Sequence, residues 1–365
     1  METPPIRVGI CGLGRSGRDI HAHTIAKLGD RFRIVAVHDV DPGRLAGTAA
    51  ELGATAHPTY HGMLADNQVE LVVVASYNGF HVEQADLALA AGRHVLCDKP
   101  IGLTAAHVDR LIASAARHRR TFAPFQQRRY QADFQRVRAV IDSGVLGRVH
   151  AIRIHWHSFK RRWDWQTSSA MHGGALNNNG PHPIDHALEL IGVAEPHIHC
   201  LGERVLCSGD AEDHLMVTLS HPGRPTVIVE LSDAIAYGQP RWVVSGDRGG
   251  LTGSDRALTW KWVDWSAMPA RPLEFASTPD RSYNQETLTW QEDSWSTAQD
   301  PVADSALAFY RDLATALRAG APPPIDPLSV RRNFAVIERC RAQIAAHMAA
   351  CARAATPPAA TNARA

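Results

Sequence analysis

The stretch "VGICGLGRSG", residues 8–17, decides the fold of this chain, because an apolar run leads directly into three spaced glycines. Gly12, Gly14 and Gly17 follow the pattern G-x-G-x-x-G, and a helical pattern comes after them. Glycines at these positions let the chain turn tightly, bring the backbone close to a pyrophosphate and pack a helix on a strand. The stretch therefore predicts a strand-turn-helix unit with a dinucleotide phosphate at the helix N-terminus.

An acidic residue completes this pattern. Asp39 ends the second apolar run, 22 residues after Gly17. A carboxylate at this place accepts hydrogen bonds from the adenosine ribose and repels a 2′-phosphate, so NAD is predicted in preference to NADP. Arg44 is the one nearby residue that favours NADP. Arg15 and Ser16, inside the glycine-rich turn, are further predicted cofactor contacts.

The first third of the chain alternates short apolar runs with helical segments. Strands are predicted at residues 7–11, 33–39, 71–76, 94–98 and 121–125. Continuous apolar strands separated by helices are typical of a parallel sheet that is covered on both faces. We therefore predict an α/β protein whose N-terminal domain, residues 1–124, is a Rossmann-type doubly wound parallel sheet.

The pattern changes after residue 124, and all nine tryptophans lie between Trp156 and Trp295. Period-two alternation, typical of antiparallel strands with one buried face, occurs at residues 150–158, 213–221, 226–234 and 257–265. Helical patterns return at residues 303–318 and 328–348. We predict a C-terminal α/β domain, residues 125–350, with a large, mainly antiparallel open sheet, and a disordered tail at residues 351–365.

Composition limits the class of protein. A chain of 365 residues with 45% hydrophobic residues can bury a large core. A net charge of +1 gives no reason to expect a nucleic acid or a membrane as partner, and the arginine runs at 117–120 and 128–129 are interpreted as solvated. Six cysteines without a C-x-x-C pair predict free thiols. With no apolar run of 18 residues and no room for a signal peptide before residue 6, we predict a cytoplasmic protein.

A single lysine stands out in "HVLCDKPIG", residues 94–102. Only four of the 38 basic residues are lysine, so arginine is the usual choice of this chain. The lysine pKa, about 10.4 when free, falls readily on burial, whereas arginine stays charged. Lys99 also lies at the C-terminal end of a predicted strand, which faces the ligand crevice of an open α/β sheet. It is predicted to move a proton or to stabilise an oxyanion.

A histidine stands out in "HGGALNNNGPHPIDHALELIG", residues 172–192. Pro181 and Pro183 restrict the backbone on both sides of His182 at a helix start. Taken alone, this imidazole is either a capping residue or a catalytic one. The alternating histidines of "HWH" and "HIHC" are explained by strand periodicity, so no metal site is predicted.

Together these motifs resemble the Gfo/Idh/MocA oxidoreductases, named for glucose-fructose oxidoreductase and inositol dehydrogenase. The resemblance covers about residues 6–345 and rests on the glycine pattern, the loop "SYNGFH" at residues 76–81, "DKP" at residues 98–100 and the segment ending at His182 and Asp185. It implies a Rossmann domain, an α/β domain whose open sheet joins subunits into dimers or tetramers, and hydride transfer between NAD(P) and a sugar or cyclic polyol.

The resemblance also implies roles for particular residues. Lys99 matches the lysine of an E-K-P motif and His182 the histidine of a D-x-x-x-H motif, so Lys99 should donate to the substrate oxygen while neutral His182 accepts its proton. Substrate contacts are expected from Asn178 and Asp185. The expected cofactor contacts outside the glycine-rich turn and the Asp39 region are Ser76, Tyr77, Asn78, His81, Asp98 and Lys99. The Lys99–Pro100 peptide can be cis in relatives.

Three positions depart from the family pattern. Asn178 replaces the aspartate of D-x-x-x-H, Asp98 replaces a glutamate, and Tyr77 stands where proline is common. Asparagine cannot take a proton, so any relay through that aspartate is absent. We expect Asn178→Asp to be tolerated structurally.

Two features leave alternatives open. Trp163, Asp164 and Trp165 are interpreted either as a platform that binds a sugar substrate or as core or interface residues. Trp260 and Trp262 lie two residues apart on one strand and are expected to be exposed on one face, which predicts self-association through the open sheet.

The sequence thus predicts an NAD-dependent oxidoreductase that transfers hydride between the nicotinamide and a secondary alcohol of a sugar, cyclic polyol or sugar derivative. An NAD-dependent glycosidase acting by transient oxidation and elimination is one alternative. A non-catalytic protein that senses the dinucleotide is another, although such a sensor needs neither Lys99 nor His182. The partner expected besides the cofactor is a small molecule, and the protein is expected to be a homodimer or homotetramer.

Overall fold

The glycine-rich stretch starts on a buried strand of a six-stranded parallel sheet. The computed structural model describes residues 4–193, 195–276, 278 and 283–355. The strands are β1 (Ile6–Cys11), β2 (Phe32–His38), β3 (Thr55–Ala56), β4 (Leu71–Val74), β5 (His94–Cys97) and β6 (Phe122–Pro124). Their order, β3-β2-β1-β4-β5-β6, is that of the doubly wound dinucleotide-binding fold. All five predicted strands are present, and β3 was missed because it has two exposed residues and no apolar run.

Helices cover both faces of this sheet, since all four residues of β4 are fully buried. A π-helical segment, Ser16–Ala22, runs into the first helix. The helices of this domain are α1 (His23–Ala26), α2 (Pro42–Leu52), α3 (Tyr60–Ala65), α4 (His81–Ala90) and α5 (Ala105–His118). Asp41 caps α2 and Thr104 caps α5, since the side-chain oxygen of each accepts a hydrogen bond from a backbone N–H in the first turn.

A second sheet of eight strands follows. Its strands are β7 (Val149–His157), β8 (His197–Glu203), β9 (His214–Ser220), β10 (Thr226–Ser232), β11 (Trp242–Gly246), β12 (Gly249–Gly253), β13 (Ala257–Val263) and β14 (Trp290–Ser296). Their order is β14-β13-β12-β11-β7-β10-β9-β8, and only the β7–β10 pair is parallel. The prediction of a mainly antiparallel sheet is confirmed. Strands β11, β12 and β14 were not predicted, since β12 contains three glycines and β14 is largely polar.

One face of the second sheet is buried. Ile152 and Ile154 of β7 point into the core and Arg153 points outward, as the alternation requires. On β13 the two tryptophans lie on the core side. Trp260 is only 7% exposed and Trp262 packs partly buried against the same core. The expectation that these two residues form an exposed patch is therefore wrong.

The last two helices return to the N-terminal domain. The helices of the C-terminal part are α6 (Ala132–Asp142), α7 (Ala175–Asn178), α8 (Pro181–Ile191), α9 (Ala303–Ala319) and α10 (Pro327–Ala355). Tyr310 of α9 meets His21 with its hydroxyl 2.8 Å from Nδ1, and its ring packs edge-on against Phe32. Glu338 of α10 accepts a hydrogen bond from the backbone N–H of Ala105. The two parts of the chain are thus packed together.

Three smaller expectations concern the tail, the cysteines and the membrane. The disordered tail was predicted at residues 351–365, but residues 351–355 are the last turn of helix α10. Residues 356–365 lie outside the described part. All six cysteines are free, and five of them are buried. Within the described ranges, no helix combines the length and apolar character needed to cross a bilayer.

Candidate active site

The glycine-rich turn leaves open space at one position only. Gly12 has φ +91°, and a Cβ there would lie 2.5 Å from the backbone nitrogen of Ser76. A Cβ on Gly17 would lie 1.8 Å from the carbonyl oxygen of Gly12. A Cβ on Gly14 would meet no atom within 4 Å. Gly12 and Gly17 are thus required by packing, and Gly14 opens the backbone toward a ligand. This cradle fits a dinucleotide pyrophosphate.

Asp39 is tied to the same turn. Its Oδ2 accepts a hydrogen bond of 2.7 Å from the backbone N–H of Leu13, and its Oδ1 accepts one of 2.8 Å from that of Asp41. Arg44 lies 3.3 Å from Oδ2, so the two residues that favour opposite cofactors form one ion pair. The carboxylate therefore holds the glycine-rich turn against the end of β2.

The loop after β4 contains two half-buried side chains, Ser76 and Tyr77, and two buried ones, Asn78 and His81. Ser76 donates its hydroxyl to Gln84, and Tyr77 packs edge-on against Trp165 with ring centroids 5.0 Å apart. Asn78 donates to the carbonyl of His172 at 3.0 Å.

His81 is buried between two backbone carbonyls. Its Nδ1 lies 2.8 Å from the oxygen of Pro100 and its Nε2 lies 3.0 Å from that of Ser76. Both ring nitrogens of His81 and the side-chain amide nitrogen of Asn78 thus join the loops around the site, and the expected contact of these two residues with the cofactor stays a prediction.

Asp98 connects the glycine-rich turn with Lys99. Its Oδ2 accepts a short hydrogen bond from the hydroxyl of Ser16 and lies 3.8 Å from Nε2 of His21, while its Oδ1 accepts from the backbone N–H of Lys99 at 2.8 Å. Burial acts to raise the pKa of Asp98, but His21, Lys99 and Ser16 outweigh burial and hold this pKa well below 3.8. Asp98 is therefore an ionised link between the glycine-rich turn and Lys99, and its expected contact with the cofactor stays a prediction.

Lys99 lies at the end of β5, and its peptide bond to Pro100 is cis. Its Nζ donates a hydrogen bond of 2.6 Å to the backbone oxygen of Asn178, which belongs to the other domain. Burial lowers the pKa of Lys99 and the charge of Arg128 adds to this effect, while Asp98 opposes it. The ammonium is thus held at the interdomain cleft in a state that releases a proton more readily than a solvated lysine does.

His182 begins α8 and is 3% exposed. Its ring stacks on Trp156, with centroids 5.9 Å apart. Burial lowers the pKa of His182 well below 6.5, and the charges of Arg128 and Lys99 lower it further. No described residue forms a hydrogen bond with its Nδ1. The imidazole is therefore neutral at physiological pH and able to accept a proton.

The side chain of Asn178, an expected substrate contact, forms hydrogen bonds within the protein. Its Nδ2 donates to the carbonyl of Gln166 at 2.8 Å, and its Oδ1 faces Nδ2 of Asn78 at 3.5 Å. The buried side chain is thus engaged by protein groups, and the residue positions Lys99 through its backbone oxygen. Aspartate has no N–H to donate to Gln166, so the expectation that Asn178→Asp is tolerated is not supported.

Asp185 is also corrected as a substrate ligand. Its carboxylate is 1% exposed, and both oxygens accept hydrogen bonds from Arg129, at 2.7 and 2.6 Å. This bidentate ion pair holds α8 against residues 127–130.

The predicted sugar platform is only partly assembled. Trp165 lies against Tyr77, beside the loop after β4. Trp163 is 79% exposed, and none of the ring contacts found among the described residues involves it. Asp164 pairs with Arg162 at 2.8 Å and caps a short helical turn at Trp165–Thr167. The structure therefore keeps Trp165 as a candidate substrate contact and gives Asp164 a structural role.

Sequence reasoning missed two arginines at the site. The guanidinium of Arg128 lies 4.7 Å from the ring centroid of Trp156, and that of Arg241 lies 4.3 Å from the same centroid. The interpretation of residues 128–129 as a solvated run is thus wrong. A usable signal was the position of Arg128 just after β6, since the carboxyl ends of all strands in a parallel sheet border one crevice.

Buried His186 makes stability depend on pH. Its ring stacks on Phe134 with centroids 4.1 Å apart, its Nε2 lies 2.9 Å from the backbone oxygen of Arg128, and burial lowers its pKa to about 3. The unfolded chain takes up a proton here below about pH 6.5 and the folded chain does not, so acidification favours unfolding. Between about pH 6.5 and 5 we expect the free energy of unfolding to fall by up to ~1.4 kcal/mol per pH unit from this residue.

Urea unfolding at a series of pH values measures this slope. His186→Gln should make it shallower, and His61→Gln, at an exposed position, is the matched control. An unchanged slope in His186→Gln would contradict the assignment.

Comparison with known proteins places the chain. The family model described as "Oxidoreductase family, NAD-binding Rossmann fold" matches residues 6–125, and the "GFO/IDH/MocA C-terminal domain" matches residues 134–252. In the part that the structure describes, no group of three or more His, Cys, Asp or Glu side chains is placed to hold a metal.

Individual relatives agree with the family models. Inositol 2-dehydrogenase 2 of Saccharopolyspora erythraea is 29% identical over 337 residues, covering 88% of this chain and 96% of the relative. The scyllo-inositol 2-dehydrogenase (NADP(+)) IolW of Bacillus subtilis is 24% identical, covering 89% of each chain. The crystal structure of an NAD-binding protein from Listeria innocua has a TM-score of 0.77 at 22% identity, covering 94% of this chain and 96% of the other. This chain therefore belongs to the Gfo/Idh/MocA family of oxidoreductases.

Proposed function

We propose that this protein is an NAD-dependent dehydrogenase that transfers hydride between the nicotinamide and a secondary alcohol of a sugar, cyclic polyol or sugar derivative. The observation that carries the proposal is the hydrogen bond from Lys99 to the backbone oxygen of Asn178, four residues before buried His182, at the carboxyl edge of a sheet whose first turn fits a dinucleotide. The relatives named as inositol dehydrogenases support the same substrate class.

Lys99 and His182 have different roles at the substrate hydroxyl. When bound, NAD supplies a hydride acceptor for the carbinol carbon. Lys99 donates a hydrogen bond to the oxygen and stabilises its developing negative charge. His182, kept neutral by burial, accepts the hydroxyl proton. The alcohol thus loses one hydride and one proton and becomes a ketone.

A substrate panel tests the proposal. Purified protein is mixed with NAD, and separately with NADP, and with myo-inositol, scyllo-inositol, common hexoses and their acidic and phosphorylated derivatives, while reduced cofactor is followed by absorbance. Sustained formation of NADH equal to the substrate consumed supports a dehydrogenase. Hydrolysis of a glycoside without net NADH would instead support the transient-oxidation glycosidase. The absence of turnover across the panel, with NAD bound, would favour a sensor.

Cofactor preference is proposed from Asp39. NAD should bind more tightly than NADP, because the carboxylate lies at the end of β2 and repels a 2′-phosphate. Asp39→Ser should narrow or reverse this preference, since it also frees Arg44 from its ion pair. Fluorescence titration of both reduced cofactors measures the ratio. Tighter NADP binding by the unaltered protein would contradict the proposal and would make Arg44 the phosphate partner.

Self-association is proposed through the outward face of the second sheet. Trp290 of β14 is 41% exposed there, and the Nζ of Lys261 lies 4.5 Å from its ring centroid. Burying this face against a second copy would remove an aromatic side chain from water. We expect a dimer or tetramer by light scattering at working concentration, and a charge introduced by Trp290→Glu should weaken it. A monomeric unaltered protein would overturn the proposal.

A further inference from the structure

Arg128 lies beside the candidate catalytic residues and forms no ion pair with any acidic side chain in the described part of the chain. Its Nε is buried and forms no hydrogen bond with any described residue. The next residue, Arg129, has the opposite environment, since both oxygens of Asp185 accept from it and Glu189 lies 3.5 Å away. Among the described residues, Arg129 thus has two acidic partners, whereas the Nε of the adjacent Arg128 has no hydrogen-bond partner.

Arg241 converges on the same place. Its guanidinium lies 4.3 Å from the ring centroid of Trp156. The guanidinium of Arg128 lies 4.7 Å from the same centroid, and the ring of His182 stacks on this indole at 5.9 Å. Asp133 lies 3.2 Å from its Nε, but the Nη2 of Arg241 is buried and has no hydrogen-bond partner among the described residues. Two guanidinium groups and the proton acceptor thus meet around one indole.

Three cationic side chains, Arg128, Arg241 and Lys99, lie close to one another, and Asp98, Asp133 and Asp255 are the carboxylates whose charges act on them. Burial and the charge of Arg241 lower the pKa of Arg128 to about 10, and Arg128 in turn lowers the pKa of Lys99. Asp133 is also used by the indole N–H of Trp242, at 2.8 Å. Contact with Trp156 compensates the arginines only in part, because a cation over an aromatic ring still lacks hydrogen-bond acceptors. Guanidinium N–H groups that are buried without an acceptor are costly, and an anion that accepts hydrogen bonds from both arginines would satisfy them.

We propose that the substrate of this enzyme carries an anionic oxyacid group, a carboxylate or a phosphate ester, which binds between Arg128 and Arg241 beside Trp156. This inference rests on the proposed function, which supplies the dehydrogenase reaction. The two arginines supply the evidence for the class of substrate. Guanidinium is the cation whose planar donors match such groups in a bidentate manner. The substrate is thus an acidic or phosphorylated sugar or polyol rather than a neutral one.

Calorimetry on the complex with NADH tests the anion site directly, using D-glucuronate, D-glucose 6-phosphate and neutral D-glucose as probes. At least one anionic probe should bind more than about tenfold tighter than glucose, the equivalent of one charge-assisted hydrogen bond. Arg128→Met should lower the affinity for that probe by about 30-fold or more, because it removes the cation that pairs with the anionic group of the probe. The affinity for glucose should not change. The stronger anionic probe also shows whether the site prefers carboxylate or phosphate.

Two further variants control the experiment. Arg128→Lys keeps the charge without the planar donors, so it should recover part of the lost affinity and shows that the site is folded. Arg148→Met removes an arginine whose side chain is 78% exposed in the C-terminal domain, and it should behave as the unaltered protein. Affinity for the anionic probe should also fall with added salt, and this dependence should be smaller in Arg128→Met.

The outcomes separate this inference from the proposed function. Turnover of a neutral polyol at least as good as that of any acidic or phosphorylated one, unchanged in Arg128→Met, would overturn the anion site and leave the dehydrogenase intact. Anion binding that depends on Arg128, with no NADH formed from any substrate, would support the site and overturn the dehydrogenase. Loss of NADH affinity in Arg128→Met, with anionic probes unaffected, would assign the arginine to the cofactor and overturn the inference.

Discussion

Replacing Lys99 by methionine should lower kcat on the true substrate by about 10² to 10⁴-fold, the contribution of one positioned acid or base. Methionine keeps much of the apolar length of the side chain but cannot donate to the substrate oxygen or to the carbonyl of Asn178. Cofactor affinity should change little, because the pyrophosphate cradle is built from backbone around Gly14. Steady-state kinetics and fluorescence titration of NADH measure the two quantities separately.

The same change at an exposed position is the control. Lys27 lies at the end of α1 on the surface, so Lys27→Met should retain full activity. His182→Ala should reduce kcat over the same range as Lys99→Met, since it removes the proton acceptor. Near-normal turnover by Lys99→Met would make Lys99 a structural residue that joins the two domains.

The second large effect concerns two glycines of one turn. Gly14→Ala should leave the cofactor-free protein as stable as the unaltered one, because its Cβ meets no atom within 4 Å. It should weaken NADH binding by about 5- to 150-fold, since a methyl group forced against a bound phosphate costs about 1–3 kcal/mol. Gly17→Ala should lower the stability of the cofactor-free protein by more than ~3 kcal/mol, because its Cβ would lie 1.8 Å from the oxygen of Gly12.

Thermal or urea unfolding without cofactor, followed by NADH titration, distinguishes the two variants. Equal stability of Gly17→Ala and the unaltered protein would show that the turn relaxes easily. Unchanged NADH affinity in Gly14→Ala would mean that the open space above the turn is not the pyrophosphate site, and this would contradict the proposed cofactor geometry.

Local signals predicted the fold well. The glycine pattern, the apolar strands and the change to period-two alternation each depend on residues close in sequence, and they correctly predicted both sheets. Lys99 and His182 were chosen as candidate catalytic residues because strand ends and paired prolines mark particular places on the backbone, and the family resemblance then implied their roles. The expected low pKa of Lys99 agrees with its burial in the structure.

The errors concern the partners of side chains, which depend on how the chain folds and not on local sequence patterns. Asp185 was expected to meet a substrate, but Arg129, 56 residues earlier, occupies its carboxylate. The pairing of Asn178 with Gln166 likewise depends on how the segment between β7 and α8 folds back. Arg128 and Arg241 are 113 positions apart, and no pattern in the sequence brings them onto one tryptophan. Periodicity reports which face of an element is buried, but it does not report which residue meets another.

The return of α9 to the N-terminal domain has a consequence for synthesis of the chain. Phe309 packs edge-on against Phe125, the residue directly after β6, with ring centroids 5.2 Å apart, and Tyr310 meets Phe32 of β2 at 5.4 Å. A ribosome finishes the six parallel strands long before it reaches these two residues, so the nascent N-terminal domain holds an aromatic surface that its own residues do not cover. N-terminal domains generally fold first during translation, but this one completes its core only when almost the whole polypeptide has left the exit tunnel.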